Sequence, residues 1–312
     1  METTSPQNSD FRYRRRPWTA VALSLLLPGL GHIYCGDIKS GLPVILIIMM
    51  FPLLWMVGTL KEGRIIGPLA FMMWGIVLLA TILASIHVWF LARQTRWDYR
   101  LKDYNRWDVY LCLIAISVGG TLWYAIYFRD KVMEAFRVPS VSMYPSIDRG
   151  DRLIANKLAY QQDPPAIGDI VLFTNPADRH QSYIKRIVAL PGDIVELRDG
   201  KLWINKQPLQ SQSVPVTGVA KGDRTMKGQT FLETNRGKTY PIFLSDMPDA
   251  DHAAKNFGPV QIPEHHCFVM GDNRFDSRDS RHFGTLPLVC LRGKFAAIYW
   301  PAQGWSRFGP LR

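Results

Sequence analysis

Cysteine is scarce, and none of it is arranged to hold a metal. Cys35, Cys112, Cys267 and Cys290 are the full set, and no two stand in C-x-x-C spacing, which argues against a structural zinc site. Cys267 and Cys290 leave two readings open, a disulfide between neighbouring strands in an oxidising compartment or two buried free thiols. His265 and His266 adjoin Cys267, but adjacent strand residues point to opposite faces and do not chelate together. Internal repeats, low-complexity tracts and RNA- or DNA-binding motifs are all lacking. Acidic residues are the minority: 26 Asp and Glu stand against 37 Lys and Arg, giving a net charge of +11. The excess sits beside apolar runs, with Arg12, Arg14, Arg15 and Arg16 before the first and Arg93, Arg96, Arg100, Lys102 and Arg106 after the third. That placement reads as membrane topology rather than nucleic-acid binding.

Charge is also missing from three long runs, Gly41–Leu60, Ile65–Ala92 and Val109–Phe128. Each reaches the roughly 20 apolar residues that a bilayer crossing needs. A cleavable signal peptide fits poorly, because several such runs follow one another. An earlier run, Trp18–Tyr34, is shorter and is broken by Pro28-Gly29-Leu30-Gly31. It is open to reading as a full span, a re-entrant segment or an interfacial helix. The basic 93–106 loop and the arginine-rich N-terminus both belong on the cytoplasmic side. Both constraints hold when 41–60, 65–92 and 109–128 cross and 18–34 does not. The expected organisation is a basic cytoplasmic tail (1–17), a multi-pass membrane region (18–128) in the cytoplasmic membrane, and an extracytoplasmic domain (129–312).

From Arg137 the pattern changes to short β-branched stretches between Gly, Pro and Asp turns. Asp151–Ala155, Asp169–Phe173, Tyr183–Leu190, Ile194–Leu197, Lys201–Ile204, Cys267–Met270 and Ala296–Trp300 have strand length and composition. Pro191-Gly192-Asp193 and Arg198-Asp199-Gly200 read as turns. The expected fold is a mainly β domain, sandwich-like or barrel-like. The stretch 206–258 is polar, with weaker strand signals, and reads as an inserted subdomain.

Three segments carry candidate chemistry. In Pro139-Ser140-Val141-Ser142-Met143, Ser140 and Ser142 share a face if the chain is extended, so one hydroxyl can attack while the other donates to an oxyanion. A Ser-rich turn beside proline is the plain alternative. In Tyr183-Ile184-Lys185-Arg186, Lys185 shares a strand face with Tyr183 and Ile187. Burial there favours the neutral amine, which can accept a serine proton. A solvated edge-strand lysine is the alternative. Gly271–Gly284 is a dense polar loop, either a turn held by local Asp–Arg pairs or part of a site. Its acidic spacing does not match an EF-hand calcium loop.

Taken together and in order, PSVSM (139–143), YIKR (183–186), LPGD (190–193) and GDNRFDSRDSR (271–281) after a transmembrane span resemble the type I signal peptidases, in their bacterial and organellar branch. The resemblance spans roughly residues 109–300. It implies a membrane-anchored chain whose transmembrane helices precede a mainly β extracytoplasmic catalytic domain of the signal-peptidase kind. It implies Ser142 as nucleophile and Lys185 as general base. Ser140 and the Ser142 N–H would hold the oxyanion, and Ser277 would hydrogen-bond Lys185. Asp279, Arg281 and Arg186 would form a supporting ion-pair network, and Met143 would sit against substrate or membrane. It implies no metal and no cofactor. Its partners would be preprotein signal peptides cut after small residues in an Ala-x-Ala pattern, the lipid bilayer and the secretion machinery, with no nucleic acid. Nothing in the resemblance explains residues 1–108, including PGLGHIYCG (28–36).

Rival readings remain. Ser182-Tyr183-Ile184-Lys185 spells the S-x-x-K of penicillin-binding enzymes, but that chemistry needs a helix, and Leu-Pro-Gly-Asp after a β-branched run favours a strand. A non-catalytic membrane scaffold for exported chains, or a peptidase for one exported substrate, are the other two.

Overall fold

A proline ends the first helix. α1 (Pro17–Leu26) opens with a proline at its first position, where no N–H is needed. Leu27 precedes Pro28 and turns extended, at φ −145° and ψ 106°. α2 (Leu30–Tyr34) resumes after Gly29, which sits in the left-handed region at φ 100°. Three long apolar helices follow, α3 (Ile38–Glu62), α4 (Gly67–Gln94) and α5 (Trp107–Tyr127). The computed structural model describes residues 15–62, 67–95, 102–175, 181–214, 227–246 and 255–311. Arg12, Arg14, Arg96, Arg100 and most of the expected tail 1–17 lie outside the described residues, as do 215–226 and 247–254 of the expected insertion. The chain forms two compact units, one ending at Tyr127 and one running on from Phe128.

In the helical unit α1 packs on α4 through Ala20, Val88 and Ala92. Leu27, Leu30 and Ile33 pack with Ile45 of α3. The backbones come close: a Cβ on Gly31 would lie 2.3 Å from the Ala20 carbonyl oxygen and 2.3 Å from Ser24 Oγ. His32 Nε2 meets His87 Nδ1 at 3.0 Å, and Asn105 Nδ2 donates to the Ile33 carbonyl at 2.7 Å. The 28–36 motif is therefore a packing knot within this unit. Gly75–Gln94 and Trp107–Val132 are long and apolar enough to cross a membrane. Leu78, Leu79 and Leu83 of the first and Leu111, Ile116 and Trp123 of the second are exposed.

The second unit is mainly antiparallel β. Its strands are β1 (Met133–Arg137), β2 (Arg152–Asn156), β3 (Ile170–Thr174), β4 (Ser182–Ala189) and β5 (Ile194–Arg198). They continue as β6 (Lys201–Ile204), β7 (Gln207–Pro208), β8 (Gln210–Val214), β9 (Gly228–Asn235) and β10 (Lys238–Ser245). The last are β11 (Phe257–Gln261), β12 (His266–Met270), β13 (Leu286–Pro287), β14 (Leu291–Trp300) and β15 (Gly309–Pro310). Among the described residues the main sheet runs β1-β2-β14-β3-β4-β12-β13, with β15 beside β14. β3 is apolar from Ile170 to Phe173 because it serves two cores. Ile170 and Leu172 face one with Met143, Ile147 and Leu153, while Val171 and Phe173 face another with Ile187 and Val269. Cys267 and Cys290 sit in that second cluster as free thiols.

A smaller sheet runs β11-β5-β6-β7. The turn expected at Asp199-Gly200 joins β5 to β6, with both residues at positive φ (48° and 77°), the geometry that suits a two-residue hairpin. The polar stretch 206–258 departs from the loop-rich expectation. Where described it forms a third sheet, β10-β9-β8, and its end pairs with β5 as β11. The strand signal was weak because the buried residues of β9 are Thr230, Glu233 and Asn235 rather than apolar ones.

Two glycines separate packing from propensity. Gly31→Ala pushes a methyl into backbone and lowers stability by about 1–3 kcal/mol. Gly75→Ala, where a Cβ meets nothing within 4 Å, is neutral or raises stability by up to about 1 kcal/mol. Thermal unfolding of the full chain in detergent reads both.

Candidate active site

Strand alternation places a lysine among apolar neighbours. Lys185 lies on β4 opposite Val171 of β3. It shares its face with Tyr183, whose ring centroid is 5.6 Å from Lys185 Nζ. Only 3% of Lys185 is exposed. Burial pushes the amine down to about 8, against the opposing pull of the Asp279 and Asp272 carboxylates.

The segment after β1 brings serine to this amine. Tyr144 N donates to the Val141 carbonyl at 3.0 Å, closing a turn that starts beside Ser142. Ser142 Oγ then lies 2.8 Å from Lys185 Nζ and 3.2 Å from Ser140 Oγ. Lys185 Nζ also donates to the Ile184 carbonyl at 3.0 Å. Three polar side chains from segments 43 residues apart thus converge on one point.

The 271–284 loop packs around them. Asp279 caps the short helix Ser280–Phe283 and is fully buried. Arg281 Nε and Nη2 each donate to it at 2.8 Å, and Gly271 N donates at 2.9 Å. Burial opposes ionisation of Asp279, but Arg281 and the Gly271 N–H outweigh it and hold the carboxyl below the usual range. Gly271 has no room for a side chain: a Cβ there would lie 2.2 Å from Ser277 Oγ and 2.5 Å from the Ser142 carbonyl oxygen. Asn273 N donates to that carbonyl at 3.1 Å.

Three expectations need correction. Ser277 donates to Asp279 Oδ2 at 2.8 Å, and no bond to Lys185 is formed among the described residues. An ionised carboxylate two residues away is the stronger acceptor. Asp279, Arg281 and Arg186 do not form one network. Arg186 points away from Lys185 across the strand and pairs with Asp272 at 2.8 and 2.7 Å, separately from the Asp279–Arg281 pair. Met143 faces neither substrate nor membrane: it is buried with Val138, Ile147 and Leu153, because the turn at Ser142 directs the next side chain inward. Asp272 and Asn273 stood in the motif with no role assigned. The polar density of the loop was their one signal.

Comparison with known proteins agrees with the geometry. The family described as "Signal peptidase, peptidase S26" matches residues 110–300. The chain is 31% identical over 192 residues to a probable signal peptidase I-1 of Synechocystis sp., covering 59% of this chain and 80% of that one. It is 30% identical over 200 residues to signal peptidase I of Bacillus caldolyticus, covering 64% and 92%. It is 33% identical over 215 residues to thylakoidal processing peptidase 1, chloroplastic, of Arabidopsis thaliana, covering 66% of this chain and 51% of that one. The match spans every segment that lines the cluster around Ser142 and Lys185, and the chain belongs to the signal peptidase family, peptidase S26.

Proposed function

We propose that this signal peptidase is a serine endopeptidase that removes N-terminal signal peptides from exported preproteins after small residues, with Ser142 as nucleophile and Lys185 as general base. The observation that carries this reading is a buried amine 2.8 Å from a serine hydroxyl. A neutral lysine keeps one lone pair. Ser142 Oγ passes its proton to that lone pair as Oγ bonds to the scissile carbonyl carbon. The charge that develops on the carbonyl oxygen meets the Ser140 hydroxyl and the Ser142 N–H. Collapse breaks the C–N bond, and the leaving amine takes the proton from Lys185. Water then attacks the acyl-enzyme, Lys185 accepts its proton, and Ser142 Oγ is released and reprotonated. Ser277 and Arg281 hold the buried Asp279 carboxylate, whose charge reaches Lys185, while Arg186 and Asp272 fasten β4 to the loop. The intact pair of Ser142 and Lys185 favours this over a scaffold role.

The same reading places the chain in the cytoplasmic membrane as a multi-pass protein, with α3, α4 and α5 crossing. α1 has ten residues, and a helix of that length rises only about 15 Å, half of a hydrocarbon core about 30 Å thick. This supports 18–34 as a segment that does not cross, and residues 129–312 as extracytoplasmic. The bilayer is then a partner shared with the signal peptide. Tethering both to one surface raises their effective concentration. The secretion machinery supplies the substrate.

Cleavage of a preprotein whose signal ends in Ala-x-Ala tests the reading. Wild type cuts at that junction, while Ser142→Ala and Lys185→Met lose about 10³-fold or more and melt as wild type does. Retained turnover in folded Lys185→Met would sink the dyad. Because the working form of Lys185 is the neutral amine, kcat/KM rises with pH and passes half its plateau near the lysine's value of about 8. A pH–rate profile checks the sign and the midpoint. For topology, a reporter fused at residue 37 reads cytoplasmic and one fused after residue 130 reads external. An external signal at 37 restores four full spans.

A further inference from the structure

The β8–β10 sheet grips the loop Gly271–Arg274, and the grip is charged. Arg274 and Glu233 of β9 are both buried, with side chains 1% and 3% exposed. Arg274 Nη1 donates to Glu233 Oε2 at 2.9 Å, and Nη2 donates to Oε1. Tyr240 OH of β10 donates to the same Oε1 at 3.0 Å. Backbone bonds run alongside. Phe243 N donates to the Asp272 carbonyl at 2.8 Å, and Arg274 N donates to the Phe243 carbonyl at 2.9 Å. Asn273 is held between these anchors. Its N–H reaches the Ser142 carbonyl at 3.1 Å, and its Nδ2 reaches the Val141 carbonyl at 3.4 Å.

A peptide group is planar, so the Val141 carbonyl and the Ser142 N–H lie in one plane and point opposite ways. Whatever sets that carbonyl aims that N–H. Tyr144 N and Asn273 Nδ2 are its donors among the described residues, and the second is carried by the clamped loop. We propose that Glu233 is a positioning residue for catalysis: through Arg274 it fixes Asn273, and so aims the Ser142 N–H at the oxyanion. This rests on Ser142 being the nucleophile. Glu233 touches no reacting atom. A donor aimed at the oxyanion acts in the transition state more than in the ground state. Loosening it lowers kcat and leaves KM in place. It also leaves the Lys185 titration alone, because the Arg186–Asp272 pair that fastens β4 keeps both of its charges in Glu233→Gln. A merely structural Glu233 changes the melting temperature and not kcat per folded enzyme.

The test uses the full chain in detergent and the Ala-x-Ala preprotein. Wild type, Ser142→Ala and Glu233→Gln are compared for kcat, KM, the acid limb of the pH profile and thermal melting. Glu233→Gln keeps the shape and loses the charge. Its kcat falls about 10- to 100-fold while KM stays within about threefold, and the pH midpoint does not move. A folded Glu233→Gln with wild-type kcat, a loss confined to KM, or a displaced midpoint overturns the proposal. Ser142→Ala keeps the two readings apart. If it is inactive while Glu233→Gln is normal, only the positioning role fails; if it cleaves, the nucleophile fails first. Should Glu233→Gln not fold, Tyr240→Phe decides, since it removes one oxygen and leaves the ion pair. A kcat lowered about threefold at unchanged KM supports the clamp, and wild-type kcat overturns it.

Discussion

A lysine amine kept out of water is the constraint on which the catalytic half depends. Desolvation is the main force that lowers the Lys185 amine, with a smaller push from the Arg281 charge, and β4 supplies the burial by lying between β3 and β12 in the sheet. The same burial creates a difficulty. The Asp279 and Asp272 carboxylates stand close enough to pull the amine back toward its charged form. Each is occupied by its own guanidinium, Arg281 for one and Arg186 for the other. The arginines therefore do more than hold the loop. By pairing with the carboxylates, they weaken the pull of those charges on Lys185.

Buried ion pairs of this kind are poor sources of stability, since desolvating two charges offsets most of their attraction. Their use here is geometric. Arg186–Asp272, Arg274–Glu233 and Asp279–Arg281 join segments that are remote in sequence or fold a loop back on itself. A bidentate guanidinium–carboxylate contact fixes direction as well as distance. Arg186 also stacks its guanidinium 4.5 Å from the Tyr240 ring centroid, and the Tyr240 hydroxyl reaches Glu233. One tyrosine thus touches both clamps. Apolar packing would secure the same elements with more stability, but it would leave the backbone beside Ser142 less narrowly defined.

How much of this was readable depended on whether a residue's partner was local. The strands β2 to β6, β12 and the second half of β14 follow from β-branched runs between turn residues, and the Asp199-Gly200 turn from its dipeptide. Ser142 and Lys185 were singled out because four motifs stand in order, although neither local segment distinguishes catalysis from an ordinary turn or strand. What could not be read is set by long-range contacts. β9 puts Thr230, Glu233 and Asn235 inward. Glu233 and Asn235 look solvated until a group from another segment satisfies them, Arg274 for Glu233 and Val188 O for Asn235 at 2.8 Å. Met143 lies inward for a related reason: one residue of turn decides whether a side chain beside Ser142 faces out or in.

The helical unit poses the opposite problem, a motif dense enough to look functional. PGLGHIYCG reads differently once its neighbours are known. Pro28 ends α1, and the chain beyond it folds back so tightly that Gly31 has backbone and Ser24 where a side chain would be. His32 and Tyr34 are not exposed on a free surface. His32 reaches His87 of α4, and Tyr34 lies 4.3 Å from the Arg15 guanidinium. Each polar residue of the motif that is held is held by another part of the same unit. Small residues for close approach and polar side chains for interhelical bonds are what association within a bilayer requires, because apolar burial alone provides little drive there. The contacts of the motif are those of close helix packing.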